Sequence, residues 1–348
     1  YTIAGLAVGS YTVTVTDANG SSSTVDPVVV QYLPVHNVTQ NTYHATIQAA
    51  IDATTTIAGD VIQICAGTYI ENIVVTKPLT IDGAGQTNTF ILPTLSSPNC
   101  GGSSGSSLCP GSSNVFLIQA NNVTIQNLTV DGNNPSLTSG VLSNLVDVDA
   151  RNGIITDHTS GTFAGLNVNH VTVKNIYLRG IYGSCQGNYD FQYNVIDNVA
   201  GESASIGIFI FYGSGVVKNN NVSNCNDAIA ANNSSGVIFE LNNVSNSGSG
   251  IHSDNNGWLT GSTADIIRNN TVSNSSAGGY GIFVFSPYQN VLVQNNTIIN
   301  VEVGLTSAGT YTIPPVLVTF EGNTVDAQGK AIRSGCILRQ KYGVILQE

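Results

Sequence analysis

The chain has 348 residues, with 10 Lys+Arg against 21 Asp+Glu and a net charge of −11. That balance argues against a nucleic-acid partner, which needs basic patches, and with no apolar run of ~20 residues no membrane span is expected. Hydrophobic residues reach 41% and charged ones only 9%, so the chain folds around a core and clothes its surface in Asn, Ser, Thr and Gly.

The first residues, "YTIAGLAVGSYTVTVTDANG", open inside a strand-like pattern, and the chain contains no Met. It is expected to be a piece of a longer multidomain chain. In residues 1–34, "GLAVGSYTVTVTDANGSSSTVDPVVV" alternates apolar and polar residues around "DANG", which predicts a β-hairpin. This segment resembles the last strands of the Ig-like repeats of gliding-motility surface adhesins and other cargo of the type IX secretion system. It is too short for a whole Ig-like domain, so the resemblance implies a partial module at 1–34 and a second domain at 35–348.

Within Tyr43 to Gly85, "TIQAAIDA" predicts a short amphipathic helix over Thr46–Ala53, with Ile47, Ala50 and Ile51 on one side. Such a helix plugs the open end of a stack of strands and blocks edge pairing. Cys100 and Cys109 flank "GGSSGSSL"; a local disulfide there implies an oxidising compartment. Cys65, Cys185, Cys225 and Cys336 read as small buried hydrophobes. In "LVDVDARNG", alternation puts Asp147, Asp149 and Arg151 on one face. The two carboxylates could hold Ca²⁺, which takes six to eight oxygen ligands; a neutralised surface pair is the competing reading. Asp157 and His158 in "TDHTS" read as a catalytic hint or a loop pair.

From residue 192 on, "YNVIDN", "NNVSNC", "NNVSNS", "NNTVSN", "NNTIIN" and "GNTVDA" repeat one motif, with apolar centres at Val195, Val222, Val244, Val272, Ile298 and Val325. A second apolar position follows at Ile208, Ile229, Ile251, Ile282, Leu305 and Ile332, seven residues later in four of the six cases. Short strands, Gly/Asn/Ser corners and no helical period predict a coil of stacked parallel strands, in which stacking buries the apolar face. Asn recurring at one corner predicts an amide ladder along the axis. With the helical plug ahead of them, these coils resemble the right-handed parallel β-helices of the pectin-lyase-like superfamily over roughly Tyr43 to Gly343. The fold class is therefore all-β: a β-helix with a short N-terminal capping helix, preceded by a partial Ig-like hairpin.

If the second apolar position faces inward, Phe209, Ala230, His252 and Phe283 face outward in one row. Phe211, Asn232, Asp254 and Phe285 then form a second row, and Tyr182 joins the first one coil earlier. Two Phe pairs ~14 Å apart, with His252, Asp254 and Asn232 between them, suit the C–H faces and hydroxyls of a sugar polymer. Trp258 and Glu202 are expected at the edges, and the Ala200–Ser205 and Ser275–Gly279 corners as walls. The alternative is that a loop covers the phenylalanines, with Thr87–Ser113 the candidate cover.

The superfamily holds polysaccharide lyases, glycoside hydrolases, methylesterases, epimerases, tailspikes and noncatalytic adhesins, and fold alone does not choose among them. A hydrolase needs two carboxyl groups ~5–9.5 Å apart; Asp254 and Glu202 could serve, with His252 as acid–base helper. The chain lacks the "GHG" and "RIK" of polygalacturonases, the "RxPxxR" of pectate lyases and the "DFIFG" of pectin methylesterases. The leading reading is thus an extracellular or cell-surface module, monomeric and needing no cofactor, that binds a polysaccharide or cell-surface glycan. A polysaccharide-degrading enzyme and a structural spacer are the alternatives.

Overall fold

The computed structural model describes residues 6, 9–99, 106–254, 263–275, 279–285, 290–309, 317–336 and 343–347. Each repeat is one turn of a parallel β-helix with three strands. Ile206–Phe211, Ser214–Lys218 and Asn221–Cys225 make one turn, and they pair in parallel with Asp227–Asn232, Val237–Glu240 and Asn243–Ser245 of the next. We call the three stacks front, back and side. Inward side chains lie directly over one another: Ile208, Ile229, Ile251 and Ile282 on the front, Val217, Phe239, Ile267 and Val293 on the back, Val222, Val244, Val272 and Ile298 on the side. All of them are at most 1% exposed. A single turn has nothing to bury these residues against; the stack does.

Two positions of the repeat differ from the sequence expectation. In "YNVIDN" the residue over Val222 is Ile196, buried, whereas Val195 pairs with Asn221 on the outside. Two adjacent apolar residues made the phase ambiguous by one. Ile332 keeps its register with Leu305 but is 39% exposed. Its strand, Thr324–Cys336, pairs on one side only among the described residues, so no further turn covers it.

The amide ladder forms at the corner between back and side. Asn194, Asn220, Asn242, Asn270, Asn296 and Asn323 each donate from or accept at the side-chain amide of a neighbour, at 2.9–3.0 Å. Each Oδ1 from Asn220 onward also accepts the backbone N–H of the preceding rung, as Asn220 N does to Asn242 Oδ1 at 3.1 Å. The residue before each rung sits in the left-handed region: Tyr193, Asn219, Leu241, Asn269, Asn295 and Gly322 have φ of 54–60°. Asn and Gly accept that conformation readily; Tyr and Leu do not, so the ladder holds Tyr193 and Leu241 against their own preference.

The plug is a helix over Ile47–Asp52, with Ile47, Ala50 and Ile51 buried against the first turn. Thr46 caps it, its hydroxyl accepting from Ala49 N at 3.1 Å. The Glu71 carboxylate takes the Ile47 and Gln48 N–H groups at 3.0 and 2.9 Å, so the free donors of the helix start are satisfied. The entry to the coil is antiparallel: Val35–Asn37 pairs with Thr42–His44 and with Val61–Ile64. Upstream, Gly9–Thr16 and Ser22–Val30 form the expected hairpin as a separate two-stranded sheet. Asp17 Oδ1 closes its turn by accepting from Asn19 N and Ser21 N. Val15, Val25, Val28 and Val29 of the hairpin are exposed. Of the cysteines expected to be buried, Cys225 is, Cys65 is exposed and Cys185 is half-buried. The side chain of Cys336 and the whole of Cys100 lie outside the described residues; Cys109 is disulfide-bonded.

Candidate functional site

The outward front face carries the two expected rows. Tyr182, Phe209, Ala230, His252, Phe283, Thr306 and Arg333 follow one another in register, as do Ser184, Phe211, Asn232, Asp254, Phe285 and Ala308. A third row, Ile206, Asp227, Ser249 and Tyr280, runs beside them. It exists because the front strands bend at a small residue, Gly207, Ala228, Gly250 and Gly281 in successive turns. A Cβ on Gly250 would lie 2.2 Å from the Gly281 carbonyl oxygen, and one on Gly207 2.6 Å from that of Ala228. With a side chain no larger than a methyl group at the bend, the residue before it turns outward, and Tyr280 stacks on Phe283 with centroids 5.4 Å apart.

The face is divided in two. Tyr182 and Phe209 are only 4% and 5% exposed; they pack with Ile155, Ile206 and Ala230 under Leu108. Leu108 belongs to the strap that was the candidate cover. Two buried arginines tie this strap down. Arg151 donates to the carbonyls of Ser107, Pro98 and Ser106 at 3.3, 3.0 and 2.6 Å. Arg179 donates to Ser107 Oγ at 3.0 Å and to the Ala204 carbonyl, with its guanidinium 5.0 Å over the Phe209 ring. Burial lowers the pKa of both, that of Arg179 to about 10, so both remain cationic at neutral pH. The expected pair of open phenylalanine platforms is therefore corrected to one: Phe209 and Tyr182 belong to a covered cluster.

The open half holds Phe211, Asn232, His252, Asp254, Phe283 and Phe285, all half-buried. Phe283 lies 5.1 Å from the His252 ring and 5.7 Å from Phe285. Among the described residues, Asn232 Oδ1, His252 Nε2 and Asp254 Oδ1 are buried with no hydrogen-bond partner. Unmatched polar atoms of this kind are costly unless something else satisfies them. His252 Nδ1 is 4.0 Å from Asp227 Oδ2, too long for a hydrogen bond; burial lowers its pKa, partly opposed by Asp227, so the ring is neutral at pH 7. Burial pushes the Asp254 carboxyl up to about 6.

That shift has a sign that can be tested. Asp254 binds its proton more tightly folded than unfolded, so its contribution to stability falls as pH rises from about 4 to about 6 and stays unfavourable above. Asp254→Asn is expected to stabilise the fold at pH 7.5 by ~1–2 kcal/mol, less than two pK units imply because solvent still reaches the carboxyl. At pH 4 the gain disappears. Urea midpoints at the two pH values measure it.

Other expected site residues are placed elsewhere. Glu202 accepts from Tyr177 OH at 3.0 Å, at the opposite edge of the front sheet and two turns from Asp254. Two turns alone span ~10 Å, so these carboxyls do not form a hydrolase pair. The Ala200–Ser205 corner is pinned there too, Ser205 Oγ donating to the Tyr177 carbonyl at 2.7 Å. Asp147 closes a loop, accepting from Ser139 N and Gly140 N, while Asp149 is buried and accepts from Asn134 N. Arg151 pairs with neither, since it faces the strap. The expected shared face is thus three separate loop contacts, and no three His, Cys, Asp or Glu gather to hold a metal among the described residues. Asp157 is a turn cap for Thr159 and Ser160, and His158 packs edge-on to Tyr182 at 5.6 Å. A cavity of about 440 Å³ lies between the strap residues Leu108–Ser112 and Leu117. Trp258 and most of the Ser275–Gly279 corner lie outside the described residues. The sequence reading missed Asp227 and Tyr280, whose outward turn depends on the bends at Ala228 and Gly281.

The family model for the right-handed β-helix region matches residues 152–325, half of the chain. Similar solved structures include an alginate lyase from Paenibacillus sp. str. FPU-7, at 16% identity and a TM-score of 0.52, covering 83% of this chain and 95% of that one. A polygalacturonase from Erwinia carotovora ssp. carotovora is 12% identical with a TM-score of 0.50, covering 86% and 93%. Comparison with curated protein sequences finds no match. At these identities the solved structures share the fold alone. The stacked turns, the amide ladder and the family match give one conclusion: the chain belongs to the right-handed parallel β-helix family.

Proposed function

We propose that the open half of the front face binds a polysaccharide, with Phe211, Phe283 and Phe285 stacking on sugar rings and Asn232, His252 and Asp254 meeting hydroxyls. The observation that carries this reading is three neighbouring polar atoms without partners among the described residues, set among half-buried aromatic rings. Rings offer flat apolar platforms; a bound sugar supplies the missing donors and acceptors. The Cys109 disulfide fits an extracellular or cell-surface setting. The exposed valines of the hairpin, like its resemblance to Ig-like repeats, fit a module of a longer surface chain.

Phe283→Ala, measured by affinity electrophoresis or calorimetry on whichever polymer a glycan panel identifies, is expected to weaken binding roughly tenfold, about 1.4 kcal/mol. Phe209→Ala, under the strap, should lower stability and leave the affinity of the remaining folded protein within about twofold. Equal losses at the two positions, or no bound polymer in the panel, would sink the proposal.

A second reading has its own support: His252, with Nδ1 4.0 Å from Asp227 Oδ2, shares the open face with Asp254, whose carboxyl pKa is raised by burial, and perturbed groups gathered on one face are candidates for acid–base chemistry. New reducing ends or unsaturated products from the bound polymer, abolished in Asp254→Asn, would establish a lyase or hydrolase in place of a binder.

A further inference from the structure

We infer that the glycan held by the open front face is uncharged: between Phe211 and Phe285 the floor offers aromatic rings, amides and carboxylates, and no Lys or Arg to receive a uronate or sulfate. This rests on the glycan reading above and narrows its substrate class.

The charge census is unusually simple. Between Arg179 and Lys330 the sequence has two basic residues, Lys218 and Arg268. Both lie on back strands, and both are bound to Glu240 at 2.7 Å. Arg179 itself is 5% exposed under the strap. Of the segments that follow or precede the front strands, residues 255–262, 276–278, 286–289 and 310–316 contain no Asp, Glu, Lys or Arg, while residues 337–342, after the last front strand, contain Arg339 and Lys341. The floor therefore has Asp227 and Asp254 as its charges, with His252 neutral at pH 7. The cations gather two turns beyond the open half: Arg333, in the row of Phe283, reaches the Tyr280 hydroxyl at 3.3 Å, and exposed Lys330 lies in the row of Tyr280.

A polyuronate carries one carboxylate per sugar. Several such charges laid along this row would meet two like charges in a partly desolvated floor, and cations only beyond its far end. Repulsion between like charges at close range is about 1 kcal/mol even in bulk water and several-fold greater near a protein surface, and polyanion recognition relies on clustered Arg and Lys. Neutral sugars face no such opposition, and the orphaned Asn232, His252 and Asp254 atoms are suited to hydroxyls, which both donate and accept.

The test compares polymers of one backbone with the carboxylate intact and with it chemically reduced to a hydroxymethyl. Polygalacturonate with its reduced galactan and alginate with its reduced form are one arm; neutral glucan, mannan and xylan are the other. Binding to the intact 348-residue chain is read at pH 7.5 in EDTA, at low and high salt. The strongest binder is expected to be neutral, to exceed any carboxylated polymer at least about tenfold, and to keep its affinity as salt rises. A carboxylated polymer bound most tightly overturns the inference. So does uronate binding that needs added Ca²⁺, because a bridging cation then reads the carboxylate. Failure to bind any polymer in either arm removes the glycan reading itself, and the inference with it.

Discussion

Asn242→Ala is expected to lower stability by about 3–5 kcal/mol. Asn242 is 1% exposed. Its amide donates to the Val217 carbonyl at 2.8 Å and to Asn270 Oδ1 at 2.9 Å. Its Oδ1 accepts from Asn220 N at 3.1 Å and from Asn220 Nδ2 at 2.9 Å. Alanine removes four bonds at once and leaves buried groups on two neighbouring turns without partners, each costing about 1–3 kcal/mol before relaxation or water entry. It also releases Leu241, held at φ 57°, toward conformations it prefers. Asn242→Asp keeps the acceptor and loses the donor, so it should fall between wild type and alanine at low pH and lie nearer alanine at neutral pH. Long stacked arrays need not unfold in one step, so the measurement is hydrogen exchange resolved by turn. Protection should drop most in residues 214–245. A change below about 1 kcal/mol would show that the ladder accompanies the fold without supporting it.

Arg151→Ala is expected to free the strap. The side chain is 1% exposed and holds three carbonyls of one loop; charged donors make hydrogen bonds worth about 1.5–3 kcal/mol each. Removing it leaves the Pro98 and Ser106 carbonyls without this donor, while the Ser107 carbonyl keeps Asn152 Nδ2 at 2.7 Å; the loss, ~3–5 kcal/mol, falls on the strap. Exchange at Ser107 and Ser113 and proteolysis within 97–113 should rise, while the ladder amides change little. Arg151→Lys keeps the charge and loses the fork that reaches three acceptors, so it should recover only part of the protection. Unchanged exchange in the strap would mean that Arg179 and the Cys109 disulfide suffice to hold it.

The coil was legible in the sequence because its physics is periodic. Inward residues recur at a nearly fixed step, and the asparagines announce their corner. The front rows from Phe209 to Phe285 followed from alternation alone, and their register is the observed one. Coverage was not legible, because what lies over Phe209 comes from about a hundred residues earlier in the chain, through Leu108, and no local pattern encodes that contact. The same holds for Arg151, which next to Asp149 read as half of a surface pair; only the fold brings Ser106 and Pro98 to its guanidinium. Glu202 failed for a related reason, since proximity along the chain to the Phe209 strand said nothing about which edge of the sheet it occupies. Asp227 and Tyr280 were missed because simple alternation breaks at the bends, Ala228 and Gly281.

Because every rung of the amide ladder meets the next in the same way, a turn is an exchangeable unit of inheritance. Loss of residues 221–242 would join Asn220 to Asn243, and the rung at Asn220 could then meet Asn270 as Asn242 now does. The backbone scarcely registers the event, yet the front face is rewritten: Phe209 would abut His252 and Phe211 would abut Asp254, with Ala230 and Asn232 gone. Duplication of the same stretch would do the opposite, lengthening the floor by ~4.8 Å. In such a lineage, changes of ligand can arise by slippage of whole repeats, and relatives are best aligned turn by turn from the ladder, not end to end.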